Sequence, residues 1–245
     1  MKSKSLISVI IAMLIPMASN AKTLIAYYSY TNNVHTIVTA LRQQLADADV
    51  VRIEPAEKGL DYAADNYAIG SAQIAAIRAN PDDASSYPAI DPVELSAGEY
   101  DTVIIATPLW WSNMAAPMQT FLFQYAKEIG SANIGLIVSS ASSGISGVEA
   151  DSRRLLPDGH HLTPSLWIRS QQTSDAARML ADWLGAIGYD TLPSAIGTTA
   201  FPTHQSGRYT VYNMSGQRLM ADEPSLDKLS DGIYIINGEK TVISR

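Results

Sequence analysis

The stretch Thr23-Leu24-Ile25-Ala26-Tyr27-Tyr28-Ser29-Tyr30-Thr31-Asn32-Asn33-Val34 indicates how the rest of the chain is organised. Its first half is an apolar and aromatic run, typical of a strand buried on both faces. Its second half is polar and leads into an apolar stripe of helical spacing, formed by Val34, Ile37, Val38, Leu41 and Leu45. The stretch therefore predicts a strand, a polar turn and a helix, in that order.

A turn of this kind can bind an anion. It directs several backbone N–H groups and the positive end of a helix dipole to one point. Ser29, Thr31 and Asn33 add side-chain donors, and the turn contains no Lys or Arg. This donor set suits a phosphate monoester. The alternative is an ordinary strand–helix turn in which the serine and asparagine only cap the helix.

Composition limits the other possible functions. The chain has 245 residues and 47% hydrophobic content, enough for one domain of moderate size with additional segments. A formal charge of −7 argues against nucleic acid and anionic membrane surfaces as partners. The absence of cysteine excludes disulfides, thiolate catalysis and Cys-ligated metals. His160 and His161 are adjacent on a predicted strand and point to opposite faces, so we expect no metal site.

Residues 1–21 have the pattern of a secretory signal peptide. Lys2 and Lys4 precede an apolar run from Leu6 to Met17, and small residues follow up to Ala21, where we expect cleavage. An uncleaved anchor helix is the alternative, although the run is shorter than the ~20 residues that span a membrane. The pattern predicts an exported protein, periplasmic or secreted to the cell surface, which meets the membrane only during export.

Strand and helix patterns then alternate along the chain. Strands are predicted at 50–53, 100–107, 134–139 and 160–168, and helices at 61–80, 115–127 and 173–187. In the last helix, the residues predicted to face the sheet are Ala177, Leu180, Leu184 and Ile187. Such alternation predicts an α/β fold with a doubly wound parallel sheet and helices on both faces. Ligands of these folds bind outside the carboxyl ends of the strands.

Two predicted strands end in segments that could bind such a ligand. The first is Pro108-Leu109-Trp110-Trp111-Ser112. Because neighbouring side chains of an extended segment point opposite ways, at least one tryptophan should face the cleft or solvent, where an indole can stack on a planar ring. The second is Ser139-Ser140-Ala141-Ser142-Ser143-Gly144, whose small residues let backbone approach a ligand. Structural tryptophans and a merely flexible loop are the alternatives. Tyr62 and Tyr67 could also reach the cleft, although packing over the sheet edge is the favoured role.

These three segments resemble those of the flavodoxin family. Ser29-x-Thr31-x-Asn33-Val34 resembles the flavodoxin phosphate loop, Ser/Thr-x-Thr-Gly-Asn-Thr, with Asn32 in place of glycine and Val34 in place of the last threonine. Residues 108–112, followed by Pro117-x-x-Thr120-Phe121-Leu122, are similar to the branch with a Pro-x-Trp-Trp loop. Residues 139–144 resemble the third loop, Thr-Ser-Gly-Ser-Ser-Gly.

The resemblance implies a flavodoxin-like domain over residues 22–190 that binds FMN. It assigns the phosphate to residues 29–34, the ring face to 108–112 and the ring edge to 139–144, with no catalytic residue. The implied function is electron transfer to a redox partner protein or a small-molecule oxidant or reductant. One alternative is an FMN-dependent NAD(P)H or quinone reductase on the same scaffold. Another, suggested by Asn32 and Val34, is a flavin-free binding protein that keeps the fold.

The C-terminal part has a different composition. Residues 191–206 are predicted to form a linker, and residues 207–245 a β-rich tail. The tail is predicted to form two hairpins, with turns at Ser215-Gly216 and Asn237-Gly238. It resembles the sorting tails of proteins secreted by the type IX route, but is shorter. The alternative is a small β appendage packed on the main domain.

Overall fold

The structure is a computed structural model that describes residues 22–192 and, nearer the C-terminus, 209–213, 218–223, 229, 232–236 and 239–243. Contacts divide the chain into two units, Met1–Ile196 and Gly197–Arg245. The predicted signal peptide and most of the predicted linker lie outside the described residues. Within the described residues, no helix has both the length and the apolar character needed to cross a membrane.

The first unit alternates strands and helices. Its strands and helices in chain order are β1 (Thr23–Tyr27), α1 (Asn33–Gln44), β2 (Asp49–Arg52), α2 (Ala64–Ala79), β3 (Thr102–Trp110), β4 (Asn113–Met114), α3 (Ala116–Ile129), β5 (Asn133–Ser140), α4 (Ser146–Leu155), β6 (His160–His161), β7 (Leu166–Arg169) and α5 (Ala176–Ala186). Short 3-10 helices cover Ala84–Ser86, Ser170–Asp175 and Tyr189–Thr191.

These strands form one sheet in the order β2-β1-β3-β5-β6, with β7 also beside β5. All of these neighbours are parallel, and only the short β4 runs antiparallel, next to β3. The chain crosses from one side of β1 to the other between β2 and β3, which makes the sheet doubly wound. The predicted fold class is therefore confirmed.

Helices cover both faces of the sheet, because successive strand residues point to opposite sides. Leu24 and Ala26 of β1 belong to one buried cluster, together with apolar side chains of α2, α3 and α4. Ile25 and Tyr27 belong to the other, with α1 and α5. The predicted stripe of α1 is confirmed, with four residues buried and Leu45 partly buried against the same cluster.

Three elements differ from the prediction. Helix α4 was not predicted, because its buried face combines Val148 and Leu155 with the polar Asp151 and Ser152, so it shows no clear apolar stripe. The predicted strand 160–168 is two short strands, β6 and β7, that pair with different parts of β5. The prediction that Ala177 faces the sheet is wrong. Ala177 is exposed, and its neighbour Ala176 is buried instead. The other three predicted residues are confirmed, since Leu180 and Ile187 are buried and Leu184 packs against the same cluster.

The second unit contains four strands, β8 (Tyr209–Asn213), β9 (Arg218–Glu223), β10 (Gly232–Ile236) and β11 (Glu239–Ile243), in the order β11-β10-β8-β9. Each pair is antiparallel. The strand pairs β8–β9 and β10–β11 correspond to the two predicted hairpins. Their predicted turns at Ser215-Gly216 and Asn237-Gly238 lie outside the described residues.

Candidate functional site

Strands β1, β3 and β5 lie side by side and end at the same edge of the sheet. Tyr27 is opposite Ala106, which is opposite Ile137. Two residues further, Pro108 is opposite Ser139. The segments 29–34, 108–112 and 139–144 therefore all leave the sheet at its carboxyl edge, where ligands of doubly wound folds bind.

The segment 29–34 is a tight turn that opens directly into α1. Asn32 adopts the left-handed conformation, with φ 64°, which asparagine tolerates better than other non-glycine residues. The Ser29 hydroxyl accepts from the backbone N–H of His35 at 3.2 Å. The first intrahelical bond runs from Thr36 N to Asn32 O at 2.9 Å. The N–H groups of Asn33 and Val34 therefore have no acceptor within the helix and remain available to a ligand.

A cation that the sequence did not reveal adjoins this turn. Arg52, the last residue of β2, donates from Nη2 to the carbonyl oxygen of Ser29 at 3.3 Å. Its guanidinium carbon lies 6.0 Å from the centre of the Tyr27 ring, and the Tyr27 hydroxyl is 2.8 Å from His35 Nδ1. Arg52 Nε also contacts Glu54 Oε1 at 2.6 Å. The turn contains no Lys or Arg of its own, but a partly neutralised guanidinium reaches it from the neighbouring strand.

The segment 108–112 is a hairpin and not the loop that was predicted. Strand β3 continues through Trp110, and Leu109 and Trp110 pair with Met114 and Asn113 of β4. The two turn residues, Trp111 and Ser112, have φ values of 48° and 64°. Positive φ at both positions is typical of the two-residue turn that matches the twist of a hairpin, although it is costly for a tryptophan. We refer to residues 109–114 as the tryptophan hairpin.

A buried carboxylate of helix α4 stabilises the tryptophan hairpin. Asp151 of α4 is only 7% exposed. Its Oδ2 accepts from Met114 N and from Asn113 Nδ2, both at 2.9 Å, and its Oδ1 lies 3.3 Å from Arg154 Nη2. Arg154 also donates to Gln119 Oε1 at 2.8 Å. The unpredicted helix α4 therefore positions the hairpin through hydrogen bonds that link separate parts of the chain.

The tip of the tryptophan hairpin is held on two sides. Arg78 of α2 donates to the carbonyl oxygen of Trp111 and, at 2.7 Å, to Asn113 Oδ1. On the other side, a Cβ placed on Gly147 would come within 1.9 Å of the Ser112 oxygen, so only glycine allows this approach. The turn conformation is thus fixed by α2 and by the start of α4.

An aromatic cleft of ≈ 230 Å³ lies between the 29–34 turn and the tryptophan hairpin. Its lining residues are neutral and mostly aromatic: Tyr30, Thr31, Tyr62, Tyr67, Gly70, Leu109, Trp110 and Trp111. Both tryptophans face it, as do the two tyrosines from the α2 region. Trp111 is 40% exposed and Tyr67 53% exposed, so their rings form the rim of the cleft.

Other aromatic contacts form the inner wall of this cleft. The Trp110 ring lies 4.9 Å from Tyr62 and 5.6 Å from Tyr28, measured between ring centres. Burial raises the pKa of Tyr28 and of Tyr62, so both hydroxyls stay protonated at neutral pH. The Tyr30 hydroxyl donates to Asp61 Oδ1 at 2.8 Å, which raises the Tyr30 pKa. The cleft is therefore an apolar aromatic surface without a general acid or base among its lining residues.

The start of α2 carries an unusual backbone next to the cleft. The predicted helix 61–80 begins only at Ala64, and three residues in its first turn, Asp65, Asn66 and Tyr67, have left-handed dihedral angles. Tyr62 lies before the helix and is buried, whereas Tyr67 is exposed at the rim. Both tyrosines reach the cleft, and Tyr62 also packs in the core.

The third segment, 139–144, shares the edge but not the aromatic cleft. Ser139 and Ser140 belong to the end of β5 and are buried, and the Ser140 hydroxyl donates to Ser143 O at 3.1 Å and accepts from Trp167 Nε1 at 2.9 Å. Ala141, Ser142, Ser143 and Gly144 are exposed. None of the six residues lines the cleft. The structure thus brings two of the predicted segments together around one cavity and places the third beside them.

The histidine pair on β6 is involved in local hydrogen bonding. His161 Nε2 lies 3.0 Å from Leu156 O, and His160 is exposed. Across the described residues, no group of three or more His, Asp or Glu side chains is placed to hold a metal ion. The prediction that the protein binds no metal remains a prediction.

Comparisons with known proteins point to one family. A sequence profile described as Flavodoxin matches residues 22–187. No protein of curated function matches the chain. A crystal structure described as a flavoprotein from Bacteroides eggerthii is 21% identical, with 69% of this chain and 99% of that chain covered and a TM-score of 0.55. A corresponding structure from Bacteroides uniformis is 22% identical, with coverages of 66% and 98% and a TM-score of 0.51.

A third solved structure is described as a flavoprotein from Lactobacillus acidophilus in complex with FMN. It is 20% identical, covers 64% of this chain and 99% of its own, and has a TM-score of 0.50. At these identities the three structures establish a shared fold over the first unit.

Proposed function

The chain belongs to the flavodoxin family, and we propose that it binds FMN at the carboxyl edge of its sheet and carries electrons. The observation that carries this proposal is the convergence of three segments, 29–34, 108–112 and 139–144, at one edge. When bound, the flavin supplies the redox chemistry, and the protein supplies binding, orientation and electrostatics. No nucleophile or general base is needed, which agrees with the neutral aromatic lining.

The phosphate group of FMN fits the turn before α1. The free N–H groups of Asn33 and Val34 and the hydroxyl of Thr31 are available, and the α1 dipole favours a negative charge there. Val34 lacks the hydroxyl that flavodoxins usually carry at this position. Arg52 compensates for that loss, because its guanidinium is bonded to Ser29 O and has further N–H groups with which to approach a dianion.

The ring of FMN fits the tryptophan hairpin, whose likeness to the Pro-x-Trp-Trp branch supports this assignment. Trp110 and Trp111 offer indole faces for stacking, and the hydrogen bonds to Asp151 and Arg78 hold the hairpin in one conformation before binding. We assign the ring edge to residues 139–144 at the neighbouring strand end, of which the small residues 141–144 are exposed.

A binding experiment tests the cofactor proposal. The purified protein should show flavin absorbance, or should quench FMN fluorescence when FMN is titrated into the apoprotein. A colourless protein that binds no added FMN would favour the flavin-free alternative. Rapid mixing of the FMN-loaded protein with NADPH separates the other two functions, because fast direct reduction would indicate a reductase and slow reduction an electron carrier.

Substitution of Arg52 tests whether the phosphate group of FMN binds at the turn before α1. Arg52→Gln should weaken FMN binding about tenfold and leave riboflavin binding unchanged, because only FMN carries the phosphate. Arg42→Gln, in the exposed last turn of α1, changes the net charge equally and should have little effect. Glu54→Gln should strengthen FMN binding, because it removes the anion that partly neutralises Arg52. Equal losses of FMN and riboflavin affinity in Arg52→Gln would contradict a role in phosphate binding.

We also propose that the protein is exported, on the basis of the signal-peptide pattern of residues 1–21. The C-terminal unit, with its antiparallel sheet, is compatible with the resemblance to a type IX sorting tail. Fractionation of cells that express the full chain would test export. Removal of residues 207–245 should leave the protein periplasmic if the tail directs it to the surface, and should change nothing if it is a structural appendage.

A further inference from the structure

Lys22, the residue directly before β1, is bonded to a fully buried carboxylate. The backbone N–H of Lys22 donates to Asp101 Oδ2 at 2.8 Å, and Asp101 is 0% exposed. In return, Asp101 N donates to Lys22 O at 2.9 Å. Lys22 directly precedes β1 and Asp101 directly precedes β3, so the two residues join the amino ends of neighbouring strands.

The side chain of Lys22 lies among further carboxylates. Its Nζ is 2.5 Å from Glu99 Oε1 and 3.1 Å from Asp49 Oδ2. Lys22 lowers the pKa of both Glu99 and Asp49 through these contacts. Three carboxylates therefore surround a residue that carries a single positive charge on its side chain.

We propose that cleavage between Ala21 and Lys22 converts the Lys22 backbone N–H into an α-ammonium group that forms an ion pair with the buried Asp101. In this step water adds across the peptide bond, Ala21 leaves with a carboxylate, and the new Lys22 amine takes up a proton at neutral pH. The inference rests on the proposed export, since it needs removal of residues 1–21. It takes the cleavage position from the signal-peptide pattern and gives cleavage a structural consequence.

The chemistry favours the ammonium form at this position. The bond from the peptide N–H to the Asp101 carboxylate is already charge-assisted, and an ammonium donor adds the attraction between two opposite charges. An α-amino group has an ordinary pKa of about 7.7–8.0, and an adjacent carboxylate raises it. The cleaved protein should thus be more stable than the precursor at neutral pH, and the two strands that carry the candidate site should be held together more firmly.

Three forms of the protein test the ion pair: the chain that begins at Lys22 with a free amine, the same chain with an acetylated amine, and the full chain. At pH 7 the free-amine form should unfold about 3 °C or more above the acetylated form. If the amine has a higher pKa in the folded than in the unfolded protein, the stabilisation is complete below the unfolded pKa. It is lost as the pH rises through the folded pKa. The difference should therefore be retained at pH 7 and fall towards zero by about pH 10–11.

Two variants test whether the difference in unfolding temperature arises from Asp101. Asp101→Asn should abolish the difference between the free-amine and acetylated forms. Glu99→Gln, which affects the Nζ contact and the bond from Ser96 N but leaves Asp101 in place, should preserve it. If Asp101→Asn does not fold, the pH dependence in the unmodified sequence still decides the question. Equal unfolding temperatures of the free-amine and acetylated forms at pH 7 would overturn the ion pair.

The mass of the exported protein tests the cleavage position separately. A mature chain that begins at Lys22 supports the inference, and one that begins at another residue overturns it. Retention of residues 1–21 by the cell-derived protein would refute the proposed processing itself. That outcome is distinguishable from failure of the ion pair, which would show only in the unfolding temperatures.

Discussion

Asp151 should stabilise the tryptophan hairpin more than any exposed charge does, and its removal gives a measurable cost. Asp151→Ala leaves the buried N–H of Met114 without an acceptor, which costs about 1–3 kcal/mol. The bonds from Asn113 and Arg154 add about 1 kcal/mol together, because both partners are partly exposed and screened. The free energy of unfolding should fall by about 3 kcal/mol, or about 6–12 °C in midpoint for a domain of this size.

A double-mutant cycle with alanine tests whether this cost arises from the hairpin. Asp151→Ala removes the oxygen, Oδ2, that accepts from both Met114 N and Asn113 Nδ2. Asn113→Ala removes that side-chain donor and the acceptor of Arg78 Nε. In the double variant, neither side chain is left without the other, so its loss of stability should be smaller than the sum of the two single losses by a coupling energy of about 0.5 kcal/mol or more.

Chemical denaturation of the four proteins measures the coupling, and FMN titration of the same four shows whether hairpin geometry also controls binding. Asp182→Asn is the matched control, because Asp182 pairs with Arg178 at 3.2 Å on the exposed side of α5. It should change stability by less than about 0.5 kcal/mol. Additive losses in the double-mutant cycle, or an equal loss in the control, would refute the hairpin explanation.

Two further predictions concern a close contact and a surface cluster. Gly147→Ala should displace the Ser112 carbonyl, which should lower the free energy of unfolding by about 1–3 kcal/mol and weaken FMN binding. Gly144→Ala is the control, because a Cβ there has no neighbour within 4 Å, and it should change neither stability nor FMN binding. Thermal melts and FMN titration of both variants measure these effects. Glu99→Gln should lower the unfolding midpoint at pH 7, because Lys22 lowers the pKa of Glu99. Because the pKa of Glu99 is lower in the folded protein than its unfolded value of about 4.3, the Glu99 carboxylate stabilises the fold above that pH, and this stabilisation is lost as the pH falls. The difference in unfolding midpoint between the variant and the unchanged protein should therefore shrink in melts below about pH 4, and an unchanged difference would refute this.

The fold was predictable because its signals are local. The β1–α1 stretch, the buried β3 and β5 runs and the α1 stripe each show their period within a few residues, and the parallel sheet follows from their alternation. Helix α4 was not visible because its buried side includes Asp151 and Ser152, and the Asn113 and Met114 donors that bond to Asp151 lie elsewhere in the chain. The hairpin at 109–114 was hidden because its turn is built on Trp111 and Ser112, not on the Asn-Gly or Gly residues that normally mark such turns.

The candidate site was likewise predictable only in part. The donors of the 29–34 turn and the paired tryptophans are contiguous in sequence and could be recognised there. Arg52 could not be recognised, because its position depends on β2 lying next to β1, which strand patterns alone do not determine.

Arg52 also changes the electrostatic interpretation of the site. A turn with neutral donors alone would hold a phosphate by dipoles, and its affinity would depend little on charge. With a guanidinium bonded to Ser29 O and itself paired with Glu54, the same turn contains a charge balance that one substitution can shift in either direction. Because the chain carries a formal charge of −7, such a local cation also counteracts the repulsion that an acidic protein exerts on a dianion. The binding of FMN relative to riboflavin, and its dependence on salt, therefore reports on Arg52 more directly than FMN affinity alone.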